Sequence, residues 1–558
     1  MANVDIVTRL YGGFRGVDFR GDEINLTRSP DSLNVWKDYK ETDSIRTRPG
    51  LELYCDLPGT VYGVWFFNGL MIAHVDNNLY KITDNKQKTI IYSKAAPGKS
   101  NAFVYKDRWY FKDSQNYIYY DGEKVSNVEG YIPYTSIGRK PSGGGTVYQD
   151  VNMLSDFRKN SFVADGTSKE FYLDAQNIDS DFVPVVTVDG IQTTDINVDY
   201  EAGKVFITHA PSAPLTDGQD NVVIRFKKAV PNYRNNLMKC TLIQPFDNRV
   251  FFSGNSEYPN VVWHSSLEDP SYFSDLDYYQ EGLDSANIRG LVAGNNALWV
   301  FREPSDANTT VFYHTPVTDE QYGKIYPSTH SSVTLGCVGR AINFNDDIVF
   351  FSDRGMEGIS GDITTEQVAA HRSSLVDRKL TAEKDYKNMI LEEWDGYLMV
   401  FIGTKVYLAD SRTAFTNENH IEYEWFMWDL GVTVTSTAVF GGVLYVGTSK
   451  GVYTLTDNEA NVESYWVTPK DKFKYANKLK TTNKRGCVAE ATGDIAMYAK
   501  LEDTDFELIG EYKNVTDYFV SRIKRKKFKD IQLKFYSDTR FSLETVSLEC
   551  FIGGYIKR

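Results

Sequence analysis

The chain has 558 residues, 42% hydrophobic and 24% charged, which is an ordinary globular composition and excludes a disordered or fibrous protein. Aromatic residues reach 14%, a bias toward pleated, half-buried surfaces and therefore toward strands. A net charge of −14 excludes a surface that binds nucleic acid throughout, although it leaves room for a local basic patch and for DNA passing without being held.

No run of about 18 apolar residues is present, so no membrane-spanning segment is expected. Met1 to Tyr11 carries Asp5 and Arg9 and has no apolar core of a secretory signal. The five cysteines, at 55, 240, 337, 487 and 550, are odd in number and lack a CxxC spacing. They predict buried, reduced thiols in a chain made in the cytosol, and neither a disulfide framework nor a zinc site.

In chain order, a hairpin unit recurs: an apolar residue, a polar or glycine pair, then four or five apolar or aromatic residues. It occurs around Asn68-Gly69, Lys106-Asp107, Asp247-Asn248, Asn295-Asn296, Asp346-Asp347, Asp395-Gly396 and Gly441-Gly442. Such pairs between apolar runs are two-residue turns, because the turn types that match strand twist need positive φ. Asn68 and Asp107 are 39 residues apart, and the steps from Asp247 through Asn295, Asp346 and Asp395 to Gly441 are 48, 51, 49 and 46. A period of about 40–50 residues is that of a four-stranded propeller blade. Second short strands follow several copies, as at Asn78–Ile82, Asn116–Gly122, Lys405–Leu408 and Gly451–Leu455. The sequence thus predicts an all-β protein built on a six- or seven-bladed β-propeller. The best helical stretch, Thr365 to Lys384, is expected to lie between blades.

The step of 140 from Asp107 to Asp247 is too long by about two blades and predicts an inserted β-sandwich over residues 135–232. Gly143-Gly144-Gly145 leads into it and reads as a flexible linker, since nothing helical follows that could make it a phosphate loop. The boundaries that follow are an N-terminal β-rich arm over 1–58, first blades over 59–134, the insert over 135–232, the remaining blades over 233–460 and a C-terminal β-sandwich over 461–558. That last block carries the one basic run, in which Arg522, Lys524, Arg525, Lys526, Lys527 and Lys529 form a candidate contact for DNA or a protein partner.

Signatures of catalysis are missing: there is no GxSxG, HExxH, Walker loop or GxGxxG. The seven histidines are far apart in sequence, and no metal or cofactor is expected. Glu392-Glu393 are adjacent on a strand, face opposite sides and cannot serve one glycosidic bond as an acid–base pair. Ser352-Asp353-Arg354-Gly355 lacks the residue between Ser and Asp that a sialidase Asp-box has, and reads as a plain turn.

Three N-terminal segments carry a resemblance: Gly12-Gly13-Phe14-Arg15-Gly16-Val17-Asp18, Ser29-Pro30-Asp31-Ser32-Leu33-Asn34-Val35 and Ile45-Arg46-Thr47-Arg48-Pro49-Gly50-Leu51. With the insert landmarks Asp165-Gly166-Thr167, Val188-Asp189-Gly190 and Asn197-Val198-Asp199-Tyr200, and the lead-in Trp466-Val467-Thr468-Pro469, the chain resembles the tail hub or nozzle proteins of short-tailed bacteriophages, also called stabilization or head-completion proteins. The resemblance implies a structural, non-enzymatic virion protein forming a ring, usually of about six copies, below the portal and its adaptor. It would extend and close the DNA channel and carry needle, spike or fibre proteins, with no cofactor and no membrane insertion. Two other readings fit a propeller: a receptor- or glycan-binding tail tip, and a glycosidase or depolymerase.

Overall fold

The structure is a computed structural model, and it describes residues 5–39, 44–307, 309–320, 323–360, 367–417, 420–458, 461–523 and 527–556. The fold is all-β with seven propeller-type sheets among the described residues, each four-stranded and antiparallel. In chain order these blades cover residues 61–92, 101–127, 242–280, 288–330, 341–371, 390–429 and 436–456. Two compact units divide them: Met1–Pro97 with Ser331–Arg558, and Gly98–His330.

In the first unit the opening strands of blades six and seven pack side by side, and that of blade seven packs on that of blade one. In the second unit the opening strands of blades two, three and four do the same. Each second strand is then covered on both faces. Ala297–Arg302 and Tyr397–Ile402 are buried along their full length. This is why the sequence reads there as an unbroken apolar run rather than an alternation. All seven expected turns join the first and second strands as two-residue loops, for example Phe67↔Leu70, Phe344↔Asp347 and Trp394↔Tyr397. Both loop residues have positive φ in six of them; in the other, Lys106 alone does. The turn in the fifth blade is Asn345-Asp346, one residue earlier than the pair read from the sequence.

Blade seven borrows its outer strand. Gly50–Asp56 pairs with Gly451–Thr456, from Gly451↔Asp56 to Thr456↔Gly50. The segment 1–58 is therefore shared between a blade and, as described below, the C-terminal sheet. The expected helix over 365–384 is corrected. Val368–His371 is the outer strand of blade five, paired with Met356–Ser360, and only Asp377–Leu380 is helical. Thr365 and Glu366 lie outside the described residues. A short apolar run, Val368 to Ala370, fits either period, and pairing with an available strand edge decides it.

The insert is a sandwich of a six-stranded and a three-stranded sheet around Phe162, Phe171, Val186, Val205, Ile224 and Phe226. Its glycine lead-in is not a linker. Lys140 and Gly143 exchange backbone hydrogen bonds of 3.2 and 2.8 Å, and Thr146–Val147 pairs back on Ser136–Ile137. Gly145 has φ 89°, and a Cβ there would lie 2.7 Å from the Ile137 carbonyl oxygen, so glycine is required by the close approach of a hairpin.

The C-terminal block folds one eleven-stranded sheet over itself. Lys478–Leu501 pairs first with Phe541–Tyr555 and then, beyond Gly493, with Ile531–Ser537. At Gly493 φ is 98°, and a Cβ would stand 2.3 Å from the Arg540 carbonyl oxygen. The fold encloses Ala489, Ile495, Met497, Leu533, Phe535, Leu543 and Leu548. Four N-terminal strands complete the sheet: Ile6–Gly12 along Phe541–Tyr555, Ser32–Leu33 on Ser464–Val467, Ile45–Thr47 at Ser542–Leu543, and Val35–Trp36 on Ile45–Thr47.

Where the chain returns from the insert, the helix Tyr233–Met238 is tied to blade two by a buried lysine. Lys112 is 1% exposed and donates to the carbonyls of Met238 at 2.9 Å and Cys240 at 2.6 Å. Burial lowers its pKa from 10.5 to about 8. The unfolded chain thus binds more protons between these values, so stability is lost as pH falls from 10.5 through 8. Lys112→Met is expected to abolish that rise in stability at high pH and, by leaving carbonyls unpaired, to cost about 2 kcal/mol at neutral pH. Denaturant titrations from neutral to alkaline pH check both.

Candidate functional site

The three N-terminal motifs meet at one buried joint in the first unit. Gly16 has φ 142°, and a Cβ there would lie 2.2 Å from the Trp425 carbonyl oxygen on the outer strand of blade six. Gly16–Val17 pairs in parallel with Arg28–Ser29, and Asp18, 1% exposed, accepts two hydrogen bonds from Arg20 at 2.9 and 2.8 Å. Arg28 reaches the same blade, donating to both oxygens of fully buried Glu424 at 2.9 and 2.7 Å. Burial raises the Glu424 carboxyl pKa, and Arg28 and Arg15 pull it back.

Asn34, at φ 57°, is the hub of the joint. Its backbone N–H donates to Met427, its Oδ1 accepts from the Asp429 N–H at 2.7 Å and from Arg48 Nε at 2.9 Å, and its Nδ2 donates to Glu463 O at 2.8 Å. Arg48 also donates to the carbonyls of Pro49 and Asp429. Trp36 completes the joint, stacked on Trp394 and edge-on to Trp428 of blade six. These residues couple blade six, the strand that closes blade seven and the C-terminal sheet.

The second feature is the outer face of the C-terminal sheet. Residues directly opposite across strands share a face. Leu10 pairs with Ser547, Ser547 with Val488 and Val488 with Val520, so one row crosses four strands. Leu10, Val488 and Val520 are 62, 37 and 42% exposed. Ile6 and Lys527 belong to the parallel row Ile6↔Phe551↔Thr481↔Lys527 on the same face.

Half of the expected basic contact is therefore placed. Arg522, Lys527 and Lys529 are exposed, whereas Lys524, Arg525 and Lys526 lie outside the described residues. Arg522 and Lys527 flank a cleft of about 280 Å³ with Leu501, Leu508 and Ile509, and with Glu502 and Glu507 on the same walls. Only the backbone of Lys529 is tied locally, its N–H on Glu502 and its carbonyl accepting from Lys480, while the residue stays exposed. Carboxylates beside the cations, and an apolar floor, suit a protein partner better than a phosphate backbone.

No group of three or more His, Cys, Asp or Glu side chains among the described residues is placed to hold a metal ion. Buried His314 and half-buried His371 do gather carboxylates. In blade four, His314 and Glu281 are both fully buried and 2.7 Å apart, and Ser328 Oγ donates to the other Glu281 oxygen. The order differs from that of a Ser–His–acid triad. His314 Nδ1 is on the Tyr326 carbonyl, so neither ring nitrogen is left to take the serine proton. In blade five, His371 lies between Glu357 at 2.9 Å and Asp377 at 2.6 Å. Burial opposes its charge, but the hydrogen bonds to Asp377 and Glu357 prevail and raise its pKa to about 10. Both are structural bridges between strands and loops, invisible in the sequence because their partners are 6 to 33 residues away.

Glu392 faces Thr437 of blade seven while Glu393 is exposed, as alternation requires. Ser352–Gly355 forms a tight turn closed by the Ser352 N–H on the Gly355 carbonyl. All five cysteines are buried, and none is in a disulfide. No helix among the described residues is long and apolar enough to cross a membrane.

No family model and no curated protein matches the chain. Solved structures with partial likeness include the computationally designed Ika8 protein, at 10% identity and TM-score 0.32, covering 73% of this chain and 99% of that one. BamB from Moraxella catarrhalis matches at 11% and 0.32, over 78% and 96% of the two chains. The Pan2 WD40 domain of Neurospora crassa matches at 11% and 0.27, over 75% and 97%. Likeness at this level says nothing of what the chain binds, and the propeller assignment stands on the sheets themselves.

Arg48→Ala is expected to destabilise the first unit by about 3 kcal/mol, because it strips partners from Asn34 and two carbonyls at once; chemical denaturation measures it. For His371 the folded pKa is raised, so its contribution is complete below 6.5 and is lost as pH rises toward about 10. His371→Gln is expected to remove that alkaline decline, read by melting temperature against pH.

Proposed function

We propose that the chain is a structural virion protein of a short-tailed phage, one subunit of a tail hub ring below the portal and adaptor, with no catalytic role. The observation that carries this reading is the N-terminal block. Residues of the Gly-x-Asp, Asn-bearing and Arg-Pro-Gly segments that resemble the tail hub family, Gly16, Asp18, Asn34 and Arg48, lie in one buried joint, where Arg28 joins them. That these segments meet in space across blade six and the C-terminal sheet supports reading them as one structural motif.

Three further features support the reading. Propeller blades leave few sheet edges open, which suits the wall of a channel. The apolar row Leu10, Val488 and Val520 offers a flat contact of the kind that subunits or neighbouring tail proteins cover. The net charge of −14 would let DNA slide past without sticking.

The test is to mix the purified chain with a portal–adaptor complex and to follow mass by light scattering and shape by negative-stain microscopy. A coaxial ring of about six copies on the adaptor is expected. Leu10→Glu with Val488→Glu is expected to abolish the ring while leaving the melting temperature within a few degrees, since both side chains are exposed. A chain that ignores the portal–adaptor complex and remains monomeric beside it would overturn the reading.

A further inference from the structure

The six-stranded sheet of the insert carries a cleft of about 850 Å³ on its outer face, away from the sandwich core. Its floor is set by strand register. Lys159 of Phe157–Phe162 stands directly opposite Arg225 of Val222–Lys227, and Thr187 stands opposite both Val223 and Gln192. The loop around 214–221 and the turn Asp189-Gly190 form the walls, bringing Gln219, Asp220 and Asp189 to the rim.

Two like charges directly across a ladder repel and destabilise a sheet unless something holds them there. Neither Lys159 nor Arg225 has an ion pair among the described residues. Lys159 lies over the Tyr134 ring at 4.8 Å, and Arg225 over Phe157 and Phe182 at 5.5 and 5.3 Å. These rings fix both cations without neutralising them. Arg225 Nε is buried with no hydrogen-bond partner, and so is Oδ1 of Asp220, whose other oxygen accepts from Ser161 and from the Gly138 N–H. The insert therefore maintains two costly arrangements in one cleft: a like-charge pair with no ion-pair partner among the described residues, and unpaired polar atoms.

We propose that this cleft binds a carboxylate-bearing oligosaccharide, the carboxylate seated on Lys159 and Arg225 and the hydroxyls on Gln192, Gln219, Asp189 and Asp220. The chemistry of the walls selects this class. A guanidinium and an ammonium side by side take a carboxylate by charge-assisted hydrogen bonds. The two aspartates accept from sugar hydroxyls, which a phosphate or a polyanion without hydroxyls lacks, and the amides both donate and accept. An acidic peptide fits less well. The backbone of the central floor strands is already paired in the ladder on both sides, so a peptide's own N–H and C=O groups would find only side chains. The inference is independent of the tail reading and puts glycan recognition on the insert rather than on the propeller.

The experiment is isothermal titration of the full chain with trigalacturonate and with trisialic acid, against neutral galactotriose and a hexaglutamate peptide. Saturable binding of at least one acidic sugar is expected, with Kd at or below about 1 mM. It should weaken as salt is raised from about 50 to about 300 mM, and galactotriose should bind undetectably. Lys159→Gln is expected to weaken binding about tenfold or more without lowering the melting temperature, because it relieves the like-charge pair. Arg225→Gln should act in the same direction on binding. Failure of both acidic sugars to bind, binding unchanged in both variants, or tighter binding of hexaglutamate would each overturn the proposal.

Discussion

The first unit depends on a buried ion pair that is far apart in sequence, Arg28 with Glu424. Withdrawing a guanidinium and a carboxylate from water is costly, and removing one partner of such a pair costs more than the pair contributes. What the pair secures is register. It fixes a segment with little regular structure of its own, residues 14–39 and 44–49, against one strand of one blade. From that anchor Asn34 and Arg48 set the direction in which the chain leaves to become the closing strand of blade seven. Ser32 and Leu33 set where the C-terminal sheet begins. A propeller blade and a folded-over sheet have no intrinsic reason to associate in one orientation; this joint supplies one.

The same logic separates the roles of the other polar groups. Lys112, His314 and His371 are buried or half-buried titratable side chains with every contact directed at the protein itself. They act as cross-braces for strands and loops that lack continuous hydrogen-bond ladders. Lys159 and Arg225 differ because they face a cleft and each other. Polar groups that answer each other within the fold are scaffold, and those left unanswered at a concave surface point outward to a ligand.

Much of the fold was legible because its signals are local. Asn68-Gly69, Asp395-Gly396 and Gly441-Gly442 announce positive-φ turns by residue type, and their spacing counts the blades. The insert was read from the one interval that breaks the period. The strand Val368–His371 was misread because a run of Val-Ala-Ala satisfies either a helical or a strand period, and its partner Met356–Ser360 is fixed only in three dimensions. Gly143–Gly145 was misread because glycine composition does not distinguish a flexible tether from a tight hairpin. The sharing of residues 1–58 between blade seven and the C-terminal sheet left no trace in the sequence, because its pairings span hundreds of residues. The candidate surfaces were hardest to foresee. The basic run was visible as composition, but the row Leu10, Val488, Val520 and the pair Lys159 and Arg225 exist only through cross-strand register.

The claim on which the account rests is that the N-terminal block couples blade six, the closing strand of blade seven and the C-terminal sheet into one cooperative body. Hydrogen exchange read by mass spectrometry on Glu424→Gln tests it most directly. The account predicts that His420–Asp429, Gly50–Asp56 and Ser464–Val467 lose protection together and by a similar factor, on the order of a hundredfold or more, because Arg28 is left buried and unpaired. Loss confined to the strand that carries residue 424, with the other two segments unchanged, would contradict it.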